Sequence, residues 1–296
     1  MAQREAKEVS EVKEAKENGR NIAAFFDLDG TMVPWPSLEK RFFSRLRYKG
    51  LIGVRNYCLW VLEALRLVPR GIGQMLHANK MYLRGVRADK EGFGANNPAR
   101  LCVGGEDGKN GRRRQARMPV PLFPEAIERL AWHAERGHWI VIVSGTLEPL
   151  AERAARVLED ALEARWLRRE IRVCATRLEA KEERWTGRIV GEAMFGEVKA
   201  LAIKRVAAEM DLDLERCFAY GNSSSDRWML EAVGRPAAVN PSNDLARIAR
   251  RNDWTVLRWR GERSFTQRTQ RAQRSQRKEE TRQRLQTEHL KSGYRT

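Results

Sequence analysis

Apolar residues follow two alternating patterns along most of this chain. Short continuous apolar runs, Ile22-Ala23-Ala24-Phe25-Phe26 and Trp139-Ile140-Val141-Ile142-Val143, read as strands covered on both faces, as do 171–175 and 216–220. Between such runs the spacing becomes helical. Ile127, Leu130, Ala131 and Ala134 recur at i, i+3, i+4, i+7 after Pro124, with Gly137 as the stop, and Ile203, Val206, Ala207 and Met210 share one face after Gly196. Further helices are predicted over 148–164, around Trp228, Met229, Ala232 and Val233, and over 243–250. Short strands are predicted at 237–239 and 254–257, and a hairpin about Thr186-Gly187. Strands alternating with helices in this way predict an α/β fold with a doubly wound parallel sheet.

Three stretches depart from the alternation. Residues 37–86 read as consecutive helices, with Leu38, Phe42, Leu46, Leu59, Leu62 and Leu65 at helical spacing and a break at Pro69, Gly71 and Gly73. This predicts a helical cap inserted after the first strand. Its aromatic residues, interleaved with Arg and Lys, fit cap packing, a substrate pocket or contact with lipid headgroups. Residues 88–118 combine six glycines with charge and few large apolar side chains, so they are expected to be disordered. The ends are polar. The boundaries that follow are a polar extension over 1–18, a core over 19–36 and 119–257, the cap insertion over 37–118, and a basic tail over 258–296.

Charge sharpens the reading of the tail. The chain carries 56 Lys and Arg against 39 Asp and Glu, a net +17, and residues 258–296 alone hold twelve basic and four acidic side chains. Anionic partners follow: a phosphorylated substrate in the body, and an acidic membrane surface or nucleic acid through the tail. No repeat or motif points to base readout. Cys58, Cys102, Cys174 and Cys217 are widely spaced without a CxxC, and His77, His133, His138 and His289 show no ligand spacing. Free core thiols and a cytoplasmic location are the expectation, because no secretory leader or membrane span is legible.

The candidate chemistry sits at strand ends. The first strand runs into Asp27-Leu28-Asp29-Gly30-Thr31. Two carboxylates one residue apart on a strand share a face, and Gly30 permits a sharp turn after them. Such a pair facing a pocket can hold a hard cation, supply a nucleophile and keep a proton donor, although Asp-Gly also reads as an ordinary acidic turn. Three more polar groups lie where an open α/β sheet presents its binding edge: Ser144-Gly145-Thr146, Lys199 near a helix start, and Asn222 through Asp226.

In this order the four groups resemble the motifs of the haloacid dehalogenase (HAD) superfamily of aspartate-nucleophile phosphohydrolases. Asp27-Leu28-Asp29-Gly30-Thr31 matches its DxDGT motif, Ser144-Gly145-Thr146 the second, Lys199 the third and Gly221 through Asp226 the fourth. The 117 residues from Asp27 to Ser144 leave room for a cap, similar to subfamily IB, the phosphoserine phosphatase-like hydrolases; the resemblance suggests a small phosphoserine-like metabolite as substrate, and the aromatic-basic helices a phospholipid-type one. The resemblance implies Asp27 as nucleophile, Asp29 as general acid and base, and Thr31, Ser144, Gly145 and Lys199 around the phosphoryl group. It also implies Mg²⁺ on Asp27, Asp29, Asn222 and Asp226. One position departs from the pattern: Asn222 stands where the family usually has Asp, which brings an amide oxygen but no charge. A degenerate, non-catalytic domain acting as a basic binding module is therefore the alternative, and transfer to a second hydroxyl is a further one.

Overall fold

The computed structural model describes residues 21–70, 77–88 and 120–260. The expected disorder of 88–118, apart from Ala88, and the tail beyond Arg260 lie outside these residues. A six-stranded parallel sheet has the order β3-β2-β1-β6-β7-β8. It comprises β1 (Ala23–Phe26), β2 (Trp139–Leu147), β3 (Ile171–Thr176), β6 (Phe218–Gly221), β7 (Arg235–Val239) and β8 (Thr255–Leu257). Central β1 is buried at all four residues and pairs with β2 and β6, setting Phe26 opposite both Ile142 and Tyr220.

Alternation along the strands splits the core in two. Ala24, Phe26, Ile140, Ile142 and Tyr220 face α3 (Pro124–Glu135) and α4 (Glu148–Glu163), and the first cap helix, α1 (Leu38–Tyr48), packs into the same cluster. Ala23, Phe25, Val141, Val143 and Ala219 face α5 (Glu197–Met210), α6 (Arg227–Glu231) and α7 (Asn243–Arg251). This two-sided cover is what continuous apolar strands demand. Helix starts follow local chemistry: Ser37 accepts the Lys40 amide ahead of α1, Ser242 accepts the Leu245 amide ahead of α7, and Pro124 opens α3.

The hairpin is placed differently from the sequence reading. Strands β4 (Leu178–Lys181) and β5 (Arg184–Ile189) are joined through Glu182 and Glu183, both with positive φ, and not about Thr186-Gly187. Gly187 is instead a point of close approach, where a Cβ would stand 2.9 Å from the Met81 backbone. The hairpin is thus pressed against the cap: Trp185 donates to the Val86 carbonyl and Gly85 to the Trp185 carbonyl. The described cap comprises α1, α2 (Val54–Leu67) and single 3₁₀ turns at Val68–Arg70 and Met81–Leu83. Strand β2 also outruns its expected end at Val143, carrying Ser144, Gly145 and Thr146 within it and shifting register before Leu147.

One buried polar cluster braces the core. His133 on α3 is within 2.8 Å of both His138 Nδ1 and the Tyr220 hydroxyl, and Tyr220 stacks on Phe26 at 4.5 Å between centroids. Burial, reinforced by His138, Arg129 and Arg136, pushes the His133 pKa down to about 2, and burial with four arginines led by Arg136 pushes His138 down to about 4. Both lie below the ordinary 6.5, so the unfolded chain takes up these protons first, and stability present above pH 6.5 is lost as pH falls toward 4. Urea unfolding at about pH 7 and about pH 5 is expected to differ by about 1–2 kcal/mol per imidazole. A midpoint that stays put in His133→Gln relative to the parent at the lower pH would count against this cause.

Candidate active site

The C-terminal edge of the sheet gathers the motif residues. Asp27 leaves β1 with its amide donating to the Tyr220 carbonyl (2.9 Å), which pins the strand end against β6. Its carboxylate accepts from Lys199 Nζ at 2.7 Å and from the Thr31 hydroxyl at 3.2 Å. Lys199, only 3% exposed, reaches from the first turn of α5 and also donates to Asp226 Oδ1 at 2.6 Å. The second Asp226 oxygen accepts from the Asn222 and Ser223 amides and the Ser223 hydroxyl. An ammonium clasped by two buried carboxylates is the centre of the site, and Lys204, one turn on, is exposed.

Electrostatics follow from this burial. Desolvation raises the Asp27 pKa to about 7 despite the opposing pull of Lys199, with Asp226 adding to the rise. Asp226 is driven the other way: burial alone would raise it, but Lys199 and the Ser223 donors hold it below the usual carboxylate range. Lys199 is depressed by burial and more than restored by Asp226 and Asp27, so it stays charged.

The chain then turns tightly. Gly30 has φ +89°, and a Cβ there would come within 2.0 Å of Asn222 Nδ2. Only glycine admits Asn222 over this turn. Asp29 accepts the Leu38 amide at 2.8 Å, tying it to the first residue of cap helix α1. Its pKa is raised by burial, with Leu38 and Thr146 opposing the rise and the Glu39 charge adding to it. Ser144 is buried, its oxygen accepting the Thr146 amide at 3.3 Å. Helix α4 is preceded by Leu147, so Ser144 does not cap it. Gly145 lies under the Met194 carbonyl and accepts from Thr176.

The contacts bear on the expected metal set. Asp226 is engaged at both oxygens by Lys199 and the Asn222-Ser223 turn, as Asp27 is by Lys199 and the Thr31 hydroxyl, while Asn222 lies against the Gly30 turn. Among the described residues no group of three or more His, Cys, Asp or Glu could hold a metal. The expected donors, Asp27, Asp29, Asn222 and Asp226, are all oxygen ligands of the kind a hard cation takes.

The cap supplies groups with no sequence signal. Glu39, on α1, accepts from both Lys80 and the Tyr82 hydroxyl, and its charge reaches Asp29. His77 stacks on Phe195 at 3.7 Å between centroids, just before the Gly196 turn into α5. The charges acting on its imidazole include Lys80 and Glu39 from the cap and Lys199 and Asp226 from the core. Long-range pairing of this kind leaves no periodic trace in a sequence. A cavity of about 540 Å³ lies elsewhere, at the edge where the strands begin, lined by Arg129, Phe218, Tyr220 and Arg235, and holds none of the motif residues.

With fold and site in hand, the class is settled: residues 24–231 match the haloacid dehalogenase-like hydrolase family, and the chain belongs to it. Among curated relatives, the probable phosphatase Rv3661 of Mycobacterium tuberculosis is 29% identical over 79% of this chain and 74% of its own length. The phosphoserine phosphatase SerB1 of the same organism is 33% identical over 79% of this chain and 70% of its own. A solved Bordetella pertussis protein of unknown function aligns with a TM-score of 0.57 and 25% identity over 80% of this chain and 98% of that one. The resemblance read from the motifs and the parallel α/β fold are both borne out.

Proposed function

We propose that this protein hydrolyses a phosphate monoester through a covalent aspartyl-phosphate on Asp27. The carrying observation is the buried Asp27–Lys199–Asp226 clasp beside Asp29, at 2.7 and 2.6 Å. A nucleophile needs a nearby cation to meet a dianionic ester, and Lys199 supplies one without solvent screening. In the first step an Asp27 oxygen bonds to phosphorus while the ester P–O bond breaks, and Asp29 gives its proton to the departing oxygen. Its raised pKa suits that role. In the second step Asp29 takes a proton from water as the water oxygen bonds to phosphorus. Asp27 is regenerated and inorganic phosphate leaves.

Asp27, the Asp29 carbonyl and Asn222 would hold Mg²⁺, which neutralises carboxylate and phosphate as they approach. Thr31 fixes the rotamer of Asp27, and the Ser144 hydroxyl and the Gly145 backbone serve the phosphoryl oxygens. Asp226 positions Lys199 and the turn that carries Asn222. The intact set of nucleophile, acid, hydroxyl and amine supports an enzyme over a degenerate module.

The substrate proposed is a small phosphorylated metabolite. The SerB1 relationship makes phosphoserine the first compound to test, and the paired Glu39 and Lys80 make an ester with a polar, charged leaving group suitable. Purified protein is expected to hydrolyse p-nitrophenyl phosphate with Mg²⁺ and to lose that turnover in EDTA. Absence of turnover across a panel of phosphate esters with Mg²⁺ present would reject the proposal.

A further inference from the structure

Cap helix α2 turns the wrong face outward for a helix in a closed domain. Inward it sends Asn56, whose amide donates to the Tyr82 and Arg84 carbonyls, together with Leu59, Trp60 and Leu67. Outward it presents Val54, Tyr57, Val61, Leu62, Leu65 and, one residue past its end, Val68. The exposures of Val54, Leu62 and Leu65 are 79%, 63% and 66%. At 100° per residue these side chains form one stripe along the helix. Arg55 and Arg66, both exposed, flank that stripe on one side, and Arg47, Tyr48 and Lys49 are exposed at the preceding turn. Glu63 is the single acidic residue of the helix.

A contiguous apolar face of this size marks an interaction surface. We propose that α2 docks this face on an anionic lipid bilayer, lying in the headgroup plane with its arginines at the phosphate level. Charge selects this occupant. A second copy paired antiparallel on this face would set the Arg55 and Arg66 flank against the same arginines. The chain's own residues 89–119 carry seven Lys and Arg against four Asp and Glu, and offer only Phe93, Leu101, Val103 and Met118 as large apolar side chains. A helix with an apolar stripe and a cationic flank suits an interface between water and acidic lipid. It lies on the bilayer and does not cross it: among the described residues no helix is long and apolar enough to span.

The test is co-sedimentation of the full chain with phosphatidylcholine vesicles, with and without phosphatidylglycerol, at low and high salt. The wild type is expected to bind the phosphatidylglycerol vesicles, and Leu62→Glu/Leu65→Glu to bind them at least about tenfold more weakly at both salt levels. Arg55→Gln/Arg66→Gln is expected to lose several-fold at low salt and little at high salt. Val61→Gln supplies a milder apolar probe if the double glutamate variant fails to fold by circular dichroism. Unchanged binding in the apolar variants assigns the attraction to the basic tail and overturns the proposal. So does no binding by any form, or a wild-type dimer that the glutamate variant dissolves.

Discussion

Asp27→Asn is expected to abolish phosphatase turnover, by at least about a thousandfold in kcat, while leaving the fold intact. An amide matches the carboxylate in shape and still accepts from Lys199, but it cannot form the aspartyl-phosphate. The stability consequence has a definite sign. Asp27 has its pKa raised from 3.8 to about 7, chiefly by burial, so the folded protein holds this proton more tightly than the unfolded chain. The parent therefore loses stability as pH rises between those values, and Asp27→Asn does not lose this share. Urea unfolding without divalent metal, run for both proteins across that window, reads the difference directly. The variant equals or exceeds the parent near neutral pH. Turnover retained in Asp27→Asn would reject the nucleophile assignment, whatever the stability profile showed.

Lys199→Met is expected to damage both properties at once. Its ammonium is the shared partner of Asp27 and Asp226, and removing it leaves two buried carboxylates facing each other without a cation. Breaking a buried ion pair from one side costs about 3–5 kcal/mol, far more than the pair contributes over an apolar substitute. Part of that cost is relieved by protonation of Asp27, so the loss shrinks as pH falls. A double variant, Lys199→Met/Asp27→Asn, recovers part of the stability and none of the turnover. Thermal unfolding near pH 8 and near pH 6 separates the cases. A Lys199→Met protein as stable as the parent at both values would mean the clasp is not formed in solution.

The layered fold was legible because its strands are continuous apolar runs and its first strand ends in a spaced carboxyl pair. Asp27, Asp29, Ser144 and Asp226 stand out at strand ends and Lys199 near a helix start, since an open α/β sheet presents its loops along one edge, and the resemblance of their order to a known family supplied the roles. What the sequence did not reveal has physical reasons. The Glu182-Glu183 turn lacks the glycine or asparagine that advertises such a bend, whereas Gly187 owes its identity to Met81, some hundred residues away in the chain. The grouping of Glu39, Lys80 and Tyr82 rests on tertiary approach, which no local spacing encodes. The engagement of Asp226 by Lys199 was likewise hidden, because the motif fixes which residues converge but not which atoms they share.

The bond from the Leu38 amide to Asp29 has a consequence for the chemistry. That donor favours the ionised carboxyl, and it belongs to the first residue of the helix that begins the cap. Losing that donor would strengthen the grip of Asp29 on its proton. The start of the cap and the acid strength of Asp29 thus share one bond, so a substitution that shifts the first residue of α1 is felt at the site as a change in proton affinity.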